Sequence, residues 1–293
     1  MVTTARTRGG YTPGDLTVHT RPDSISPVTR ALRTAGRRIA LVPTMGALHE
    51  GHRELIRHAR RMPGAGVVAV SIFVNPLQFG PNEDLARYPR SLEADLQTCR
   101  DEGVELVFAP GVDDMYAAGA TTTVDPGPLG AELEGAVRPG HFAGVLTVVA
   151  KLFHVVAPDV AFFGEKDYQQ LVLITKMAAD LNFPLAVVGV PTVREPDGLA
   201  LSSRNAYLSS EQRPLAATLQ RALAAGAAVS ARGPEAVLAT ARAVLDAEPS
   251  IDVDYLELRD PELGGDPQVG RARLLVAARL GTTRLIDNIA VFL

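Results

Sequence analysis

Two histidines, His49 and His52, stand three positions apart in Pro43-Thr44-Met45-Gly46-Ala47-Leu48-His49-Glu50-Gly51-His52. An apolar run, Ile39-Ala40-Leu41-Val42, precedes the stretch, and a helical pattern with Leu55, Ile56 and Ala59 follows it. It reads as a strand-to-helix turn that puts both imidazoles on one face of the first helical turn. Unpaired N–H groups and the positive end of the helix dipole gather there, so the place suits phosphate. Gly46 and Gly51 are expected to let a ligand approach the backbone. A histidine pair at this spacing can also bind a metal or sit on a polar surface, so other segments must decide.

Three further segments carry related chemistry. Lys166, in Gly164-Glu165-Lys166-Asp167 after the apolar Phe162-Phe163, can neutralise a phosphate as a point charge. Ser202-Ser203-Arg204-Asn205 offers hydroxyls, a guanidinium and an amide within four residues. Arginine suits bidentate phosphate contact, and hydroxyls with backbone N–H groups complete an anion nest. Asn75, Gln78 and Gln170 are uncharged amides beside apolar sequence, suited to hydroxyl and carboxylate recognition. Read by themselves, these segments also fit a surface lysine, a polar loop with a helix cap, and turn residues. Glu93 and Asp95 read as a solvated helix face. No GxxxxGK[ST] loop and no GxGxxG fingerprint after the first strand is present, which excludes a P-loop enzyme or a dehydrogenase by motif.

The elements that must position these residues follow from periodicity. Leu16–Val18 is a weak strand, and Ser26–Ala35 a helix with Pro27 at its first position. Strands are expected at 39–42, 67–74, 104–108, 160–163 and 185–190. The nearly unbroken Val67–Val74 run has the composition of a strand buried on both faces. Helices are expected after His52, over 91–102, 144–156 and 169–181. Strand and helix thus alternate, which predicts an α/β fold with a doubly wound, Rossmann-like parallel sheet and right-handed crossovers. Loops 43–52, 75–80 and 164–170 fall at carboxyl ends of strands, where such sheets bind ligands. Composition shifts near Thr192. Alanine-rich helices over 210–227 and 234–247, with strands at 253–258, 274–278 and 284–292, predict a second, smaller α+β domain. The expected domains are 1–192, holding the nucleotide and acid sites, and 193–293, carrying the Ser-Ser-Arg-Asn loop.

The chain has 293 residues, 46% apolar and 21% charged, which fits a globular protein large enough for two domains. A formal charge of -4 gives no general affinity for nucleic acid. No apolar run reaches the roughly 18 residues of a membrane span, and the N-terminus lacks the apolar core of a secretory signal. Met1 to about Thr12 reads as a tail. The single Cys99 cannot form an intrachain disulfide, suits a reducing cytosol and reads as a structural thiol.

The His49-Glu50-Gly51-His52 element resembles the H-x-G-H signature of the nucleotidylyltransferase superfamily. Ser202-Ser203-Arg204-Asn205 is similar to that superfamily's second phosphate-binding loop. More narrowly, the chain from about Leu16 to Ala290 resembles the pantothenate synthetase (pantoate–β-alanine ligase) family. The resemblance rests on 43–52, Phe73-Val74-Asn75-Pro76-Leu77-Gln78-Phe79, Arg138-Pro139-Gly140-His141-Phe142, Phe163 to Gln170 and Ser202 to Asn205. It implies an enzyme that joins (R)-pantoate to β-alanine with ATP, through a pantoyl adenylate, releasing AMP and diphosphate. It assigns His49, His52, Lys166, Ser202, Ser203 and Arg204 to stabilising charge on the phosphates, with His52 also a proton donor. Pro43, Met45, Gly46, Gly164, Glu165, Asp167, Val193 and Leu201 would complete the ATP site. Gln78, Gln170 and Asn75 would hold pantoate. Mg²⁺ would accompany the ATP phosphates, mostly through water and phosphate oxygens. Asp95 is the one candidate metal contact on the helix after Tyr88-Pro89-Arg90. A cytoplasmic homodimer is also implied. One departure is Leu201, where the family usually has methionine, a swap that nearly conserves volume.

Two other readings keep part of this pattern. A nucleotidylyltransferase for a phosphorylated acceptor would keep His49 and His52, but would need a basic pocket in place of Asn75, Gln78 and Gln170. A non-catalytic nucleotide-binding module would bind ATP without turnover.

Overall fold

The structure, a computed structural model, describes residues 11–64, 66–81, 84–267 and 269–293. The expected N-terminal tail lies, up to residue 10, outside the described residues. The chain divides into two compact units, Met1–Phe163 with Leu173–Val190, and Gly164–Val172 with Pro191–Leu293. The second unit therefore takes in the Lys166 segment, which no composition shift marks.

In the first unit, β1 (Thr17–His19), β2 (Ile39–Thr44), β3 (Val67–Ile72), β4 (Leu106–Phe108), β5 (Val160–Gly164) and β6 (Ala186–Val190) form one sheet. Their order is β1-β4-β3-β2-β5-β6. β2 pairs in parallel with β3 and β5, and β4 with β1 and β3. Ile39, Ala40, Leu41 and Val42 are wholly buried, as a central parallel strand covered on both faces must be. The accompanying helices are α1 (Pro22–Thr34), α2 (Glu50–Arg60), α3 (Leu92–Asp101), α4 (Val112–Met115), α5 (Glu134–Val137), α6 (His141–Val156) and α7 (Tyr168–Asp180), the last with its residues up to Val172 in the second unit. One core layer joins Ile56 and Ala59 of α2 and Leu96 and Cys99 of α3 to Val42, Val70 and Val107. Burial pushes the Cys99 thiol up to about 12, which makes it the inert core group its sequence context suggested.

The strand order decides where chemistry can sit. From β2 the chain winds outward through β3 and β4, then continues on the other side of β2 with β5 and β6. The direction reverses between β2 and β5. The crevice beyond the carboxyl ends at such a reversal is the binding place of doubly wound sheets. The turn that leaves β2 there is the one bearing His49.

α1 begins four residues before its expected start at Ser26. Pro22 takes the first helical position, and wholly buried Ile25 anchors the added turn, so Pro27 lies inside the helix. Packing of that turn outweighs the lost backbone hydrogen bond.

In the second unit, α8 (Gln212–Ala216), α9 (Thr218–Ala228) and α10 (Pro234–Asp246) accompany an antiparallel sheet. Its strands are β7 (Ile251–Arg259), β8 (Arg271–Leu280) and β9 (Thr283–Phe292), in that order. Leu274, Val276, Ala278 and Leu280 of β8 pack with Leu219, Leu223, Val237, Ala241 and Leu245 of the two longer helices. Among the described residues, no helix is long and apolar enough to cross a membrane.

Candidate active site

The turn after β2 is built from its own side chains. His49 is the N-cap of α2, and its Nδ1 accepts the Gly51 N–H at 3.1 Å. His52 reaches back, and its Nδ1 accepts the His49 N–H at 3.2 Å. The two rings lie 4.2 Å apart, centroid to centroid. An imidazole whose Nδ1 accepts a hydrogen bond carries its hydrogen on Nε2. Each histidine is thereby fixed as an Nε2–H donor at the start of a helix. Two of the N-terminal N–H groups that a phosphate would otherwise find are already capped by these rings.

Asp95 of α3 holds the same turn from below. Its two carboxylate oxygens accept the N–H groups of Ala47, at 3.0 Å, and Leu48, at 2.8 Å. Ala47 has a left-handed backbone, φ 51°, which costs a non-glycine residue about 1 kcal/mol or more. The buried carboxylate keeps the chain in that conformation. A side chain on Gly46 would come 2.8 Å from an Asp95 oxygen, and one on Gly51 would come 2.9 Å from the His49 ring. At these two positions the missing side chain makes room for Asp95 and His49. Asp95 is only 3% exposed, so it is no part of a solvated face. The far end of α3 braces α2 as well, with Glu102 binding Arg53 at 2.9 Å and Arg57 at 2.7 Å. Burial pushes the Glu102 carboxyl up, and the two guanidiniums pull it down by more, to below its ordinary value.

A second loop of the same unit follows β3. The buried Asn75 donates from Nδ2 to the Gly144 carbonyl of α6 and to Gln78 Oε1, both at 3.1 Å. Its Oδ1 accepts the Tyr116 hydroxyl at 2.8 Å. A carbonyl can only accept, so the Gly144 bond fixes which end of the Asn75 amide is nitrogen. The Gln78 amide is fixed in turn, with Oε1 engaged by Asn75 and Nε2 as the donor. That donor points to Met45 Sδ, 2.9 Å away and a weak acceptor, and so joins the 75–80 loop to the histidine turn. The Gln78 carbonyl is held by Arg138 and His141, at 3.3 and 2.8 Å. Burial pushes the Tyr116 phenol up to about 12, so it remains a neutral donor. Tyr116 was not among the residues singled out in the sequence, because it lies 41 positions from its partner.

The second unit contains the other candidates. Glu165–Asp167 is a single 3₁₀ turn, with Lys166 partly buried and 3.7 Å from Asp167. Gln170 follows, half-buried on α7. Ser202 caps a second 3₁₀ turn, Ser203–Tyr207, by accepting the Arg204 N–H at 3.3 Å. Leu201 donates its N–H to the Val193 carbonyl at 2.9 Å, closing the 193–201 turn that leads into it. Thus Pro43, Met45, Gly46, His49, His52, Asn75, Gln78 and Asp95 are gathered in one unit. Gly164, Glu165, Lys166, Asp167, Gln170, Val193, Leu201, Ser202, Ser203 and Arg204 belong to the other.

Both Asp95 oxygens already accept N–H groups, and among the described residues no three histidine, cysteine or acidic side chains gather to hold a metal.

A family model described as pantoate-beta-alanine ligase matches residues 17–290. The chain belongs to the pantoate–β-alanine ligase family. It is 66% identical over 284 residues to the pantothenate synthetase of Saccharopolyspora erythraea, covering 97% of this chain and 94% of that one. It is likewise 66% identical over 281 residues to that of Mycolicibacterium smegmatis, covering 96% and 89%. Among solved structures, pantothenate synthetase from Thermus thermophilus matches with a TM-score of 0.85 at 49% identity, over 95% of this chain and all of that one. The pantoate-beta-alanine ligase of Francisella tularensis, solved in complex with beta-gamma ATP and β-alanine, matches with a TM-score of 0.77 at 33% identity over 94% and 97%. Membership makes this chain an enzyme of that family and implies ATP-dependent pantothenate formation.

Proposed function

We propose that the enzyme condenses (R)-pantoate with β-alanine through a pantoyl adenylate, releasing AMP and diphosphate. The observation that carries this reading is the paired-imidazole turn at the reversal of the parallel sheet, where two Nε2–H donors are held by backbone caps. The Francisella tularensis relative solved with beta-gamma ATP and β-alanine supports ATP and β-alanine as substrates.

In the first step a pantoate carboxylate oxygen bonds to the α-phosphorus, and the bond from that phosphorus to the β-phosphate bridging oxygen breaks. Negative charge builds on the phosphate oxygens, and fixed donors there are worth more than donors that must reorganise. His49 and His52 supply Nε2–H groups, with His52 the proton donor. Lys166, Arg204 and the Ser202 and Ser203 hydroxyls supply the remaining contacts. Pro43, Met45, Gly46, Gly164, Glu165, Asp167, Val193 and Leu201 line the nucleotide site. Gln78 presents its NH₂ to pantoate oxygens, exchanging the weak thioether acceptor for a better one, with Asn75 behind it and Gln170 as a further amide. In the second step the β-alanine amine attacks the acyl carbon, AMP leaves with the acyl–oxygen bond pair, and the amine proton passes to solvent. Excluding water from the adenylate protects it meanwhile. Mg²⁺, carried by the ATP phosphates and not by side chains of this chain, would supply charge neutralisation there. The same reading makes the protein a cytoplasmic homodimer.

The test is omission of one substrate at a time while AMP is measured. AMP release that requires pantoate supports the ligase. ATP loss that is equal without pantoate refutes it, and ATP binding with no consumption favours the non-catalytic module.

A further inference from the structure

Two adjacent residues of β9, Asp287 and Asn288, reach the two turns that the proposed mechanism gives to the phosphates in the second unit, one directly at the Lys166 turn and one through Arg194 at the segment leading into Ser202. Asn288 is 4% exposed, and its Nδ2 donates to the Glu165 carbonyl at 3.0 Å and the Lys166 carbonyl at 2.9 Å. Its Oδ1 accepts Arg273 Nε at 2.7 Å, and Arg273 also binds the Glu165 carboxylate at 2.9 Å and lies 4.0 Å over the Tyr168 ring. All three polar valences that matter are used, so the 3₁₀ turn bearing Lys166 is fixed at its backbone. Asp287 is equally buried and takes Arg194 in a bidentate pair, at 2.6 and 2.9 Å. Arg194 donates at 3.0 Å to the Gly198 carbonyl and bridges to Ala200, which holds the turn that delivers Ser202 to Arg204. Successive strand residues point to opposite faces, so one strand position serves one turn on each face. The Asp287 carboxylate also accepts the Asn288 N–H at 2.7 Å, which couples the two anchors.

We propose that Asp287 and Asn288 are positioning residues that hold the Lys166 turn and the Ser202–Arg204 turn at a fixed spacing. The lysine and arginine contacts to the nucleotide phosphates are then presented as one preformed set. This rests on the ligase reading. Neither residue touches substrate; each acts through a backbone carbonyl or through Arg194. Asn288→Asp removes both donations and sets a carboxylate against two carbonyl oxygens, while keeping the size of the side chain.

The experiment is a double-mutant cycle on pantoate-dependent exchange of labelled diphosphate into ATP, without β-alanine. Asn288→Asp is expected to slow exchange about 30-fold, as two hydrogen bonds and their geometry are lost. The pantoate KM should stay within about twofold. In a Lys166→Ala background the same change should cost less than about threefold, because the group it positions is gone. A full 30-fold loss in that background, or wild-type exchange in Asn288→Asp, overturns the inference. Asn288→Ser, which also removes the donations, runs the same cycle if the aspartate variant does not fold. Wild-type exchange in Lys166→Ala overturns the role of Lys166 and this inference but leaves the adenylate step standing. Absence of pantoate-dependent exchange in the unmodified enzyme strikes the ligase reading itself, and is seen before any variant is made.

Discussion

The two units position their chemistry by different means. In the first, the functional groups leave the carboxyl ends of parallel strands and are fixed by partners on neighbouring loops and helices. His49 and His52 cap their own helix, and Asp95 and Tyr116 reach in from α3 and the segment after α4. In the second, 3₁₀ turns are tied to a strand of an antiparallel sheet through Asn288, Arg273 and Arg194. The capped helix start combines bonds of its own with the support of Asp95. The turn bearing Lys166 runs into α7 and is tied to β9 at two of its backbone carbonyls. Loss of a single distant contact is thus predicted to disturb the histidine turn less than the lysine and arginine turns.

The sharpest way to break that comparison is at the charged group of the second unit. Lys166→Ala should slow adenylate formation about a thousandfold, the upper range for loss of one donor to developing charge, while pantoate binding measured by calorimetry stays near wild type. Equal losses in both would mean that Lys166 binds the ground state. His52→Ala should follow, at about a hundredfold in single-turnover AMP formation. A wild-type rate there would remove the first unit's donors from the reaction.

Asp95→Asn sharpens the comparison inside the first unit. An amide cannot accept from both Ala47 and Leu48 with two oxygens, so about 2 kcal/mol of stability should be lost in denaturant unfolding, with a slower adenylation step. An unchanged midpoint and rate would show that the histidine turn needs no support from α3. Tyr116→Phe is expected to do less. It removes one of the bonds that orient Asn75, so the pantoate KM should rise about fivefold with kcat nearly unchanged. A matching rise for ATP would mark a general loss of structure instead.

The smallest effect concerns Cys99. Its thiol is raised from 9.0 to about 12 in the fold, so the unfolded chain loses that proton first as pH rises. The stability it contributes is complete below pH 9 and is lost progressively towards pH 12. At pH 8 the native thiol should resist alkylation by iodoacetamide until the protein is unfolded.

What could be read from the chain follows the same division. The alternation of strand and helix, the parallel sheet and the second α+β unit were all visible, because apolar periodicity is local. So was the pair His49 and His52, whose caps span two and three residues. Pro27 misled the placing of α1, because a local rule about proline competes with burial of Ile25, which only the fold supplies. The amides Asn75 and Gln78 were legible as residues, but their orientation was not. Asp95 lies 48 residues from Ala47, and Asn288 lies 122 from Lys166. Bonds from a side chain to a distant backbone carbonyl or N–H leave no pattern in a single sequence. For the same reason Asp95 was read as solvated, and the Lys166 segment was assigned to the first domain by its place in the chain.

The proposed function turns on activation of the pantoate carboxylate by adenylation, with His52 and Lys166 as donors to the phosphates. Diphosphate exchange tests it most directly. The account predicts that labelled diphosphate enters ATP when pantoate is present and β-alanine is absent, and that His52→Ala and Lys166→Ala each abolish most of it. Exchange that proceeds without pantoate, or that appears only once β-alanine is added, would contradict it.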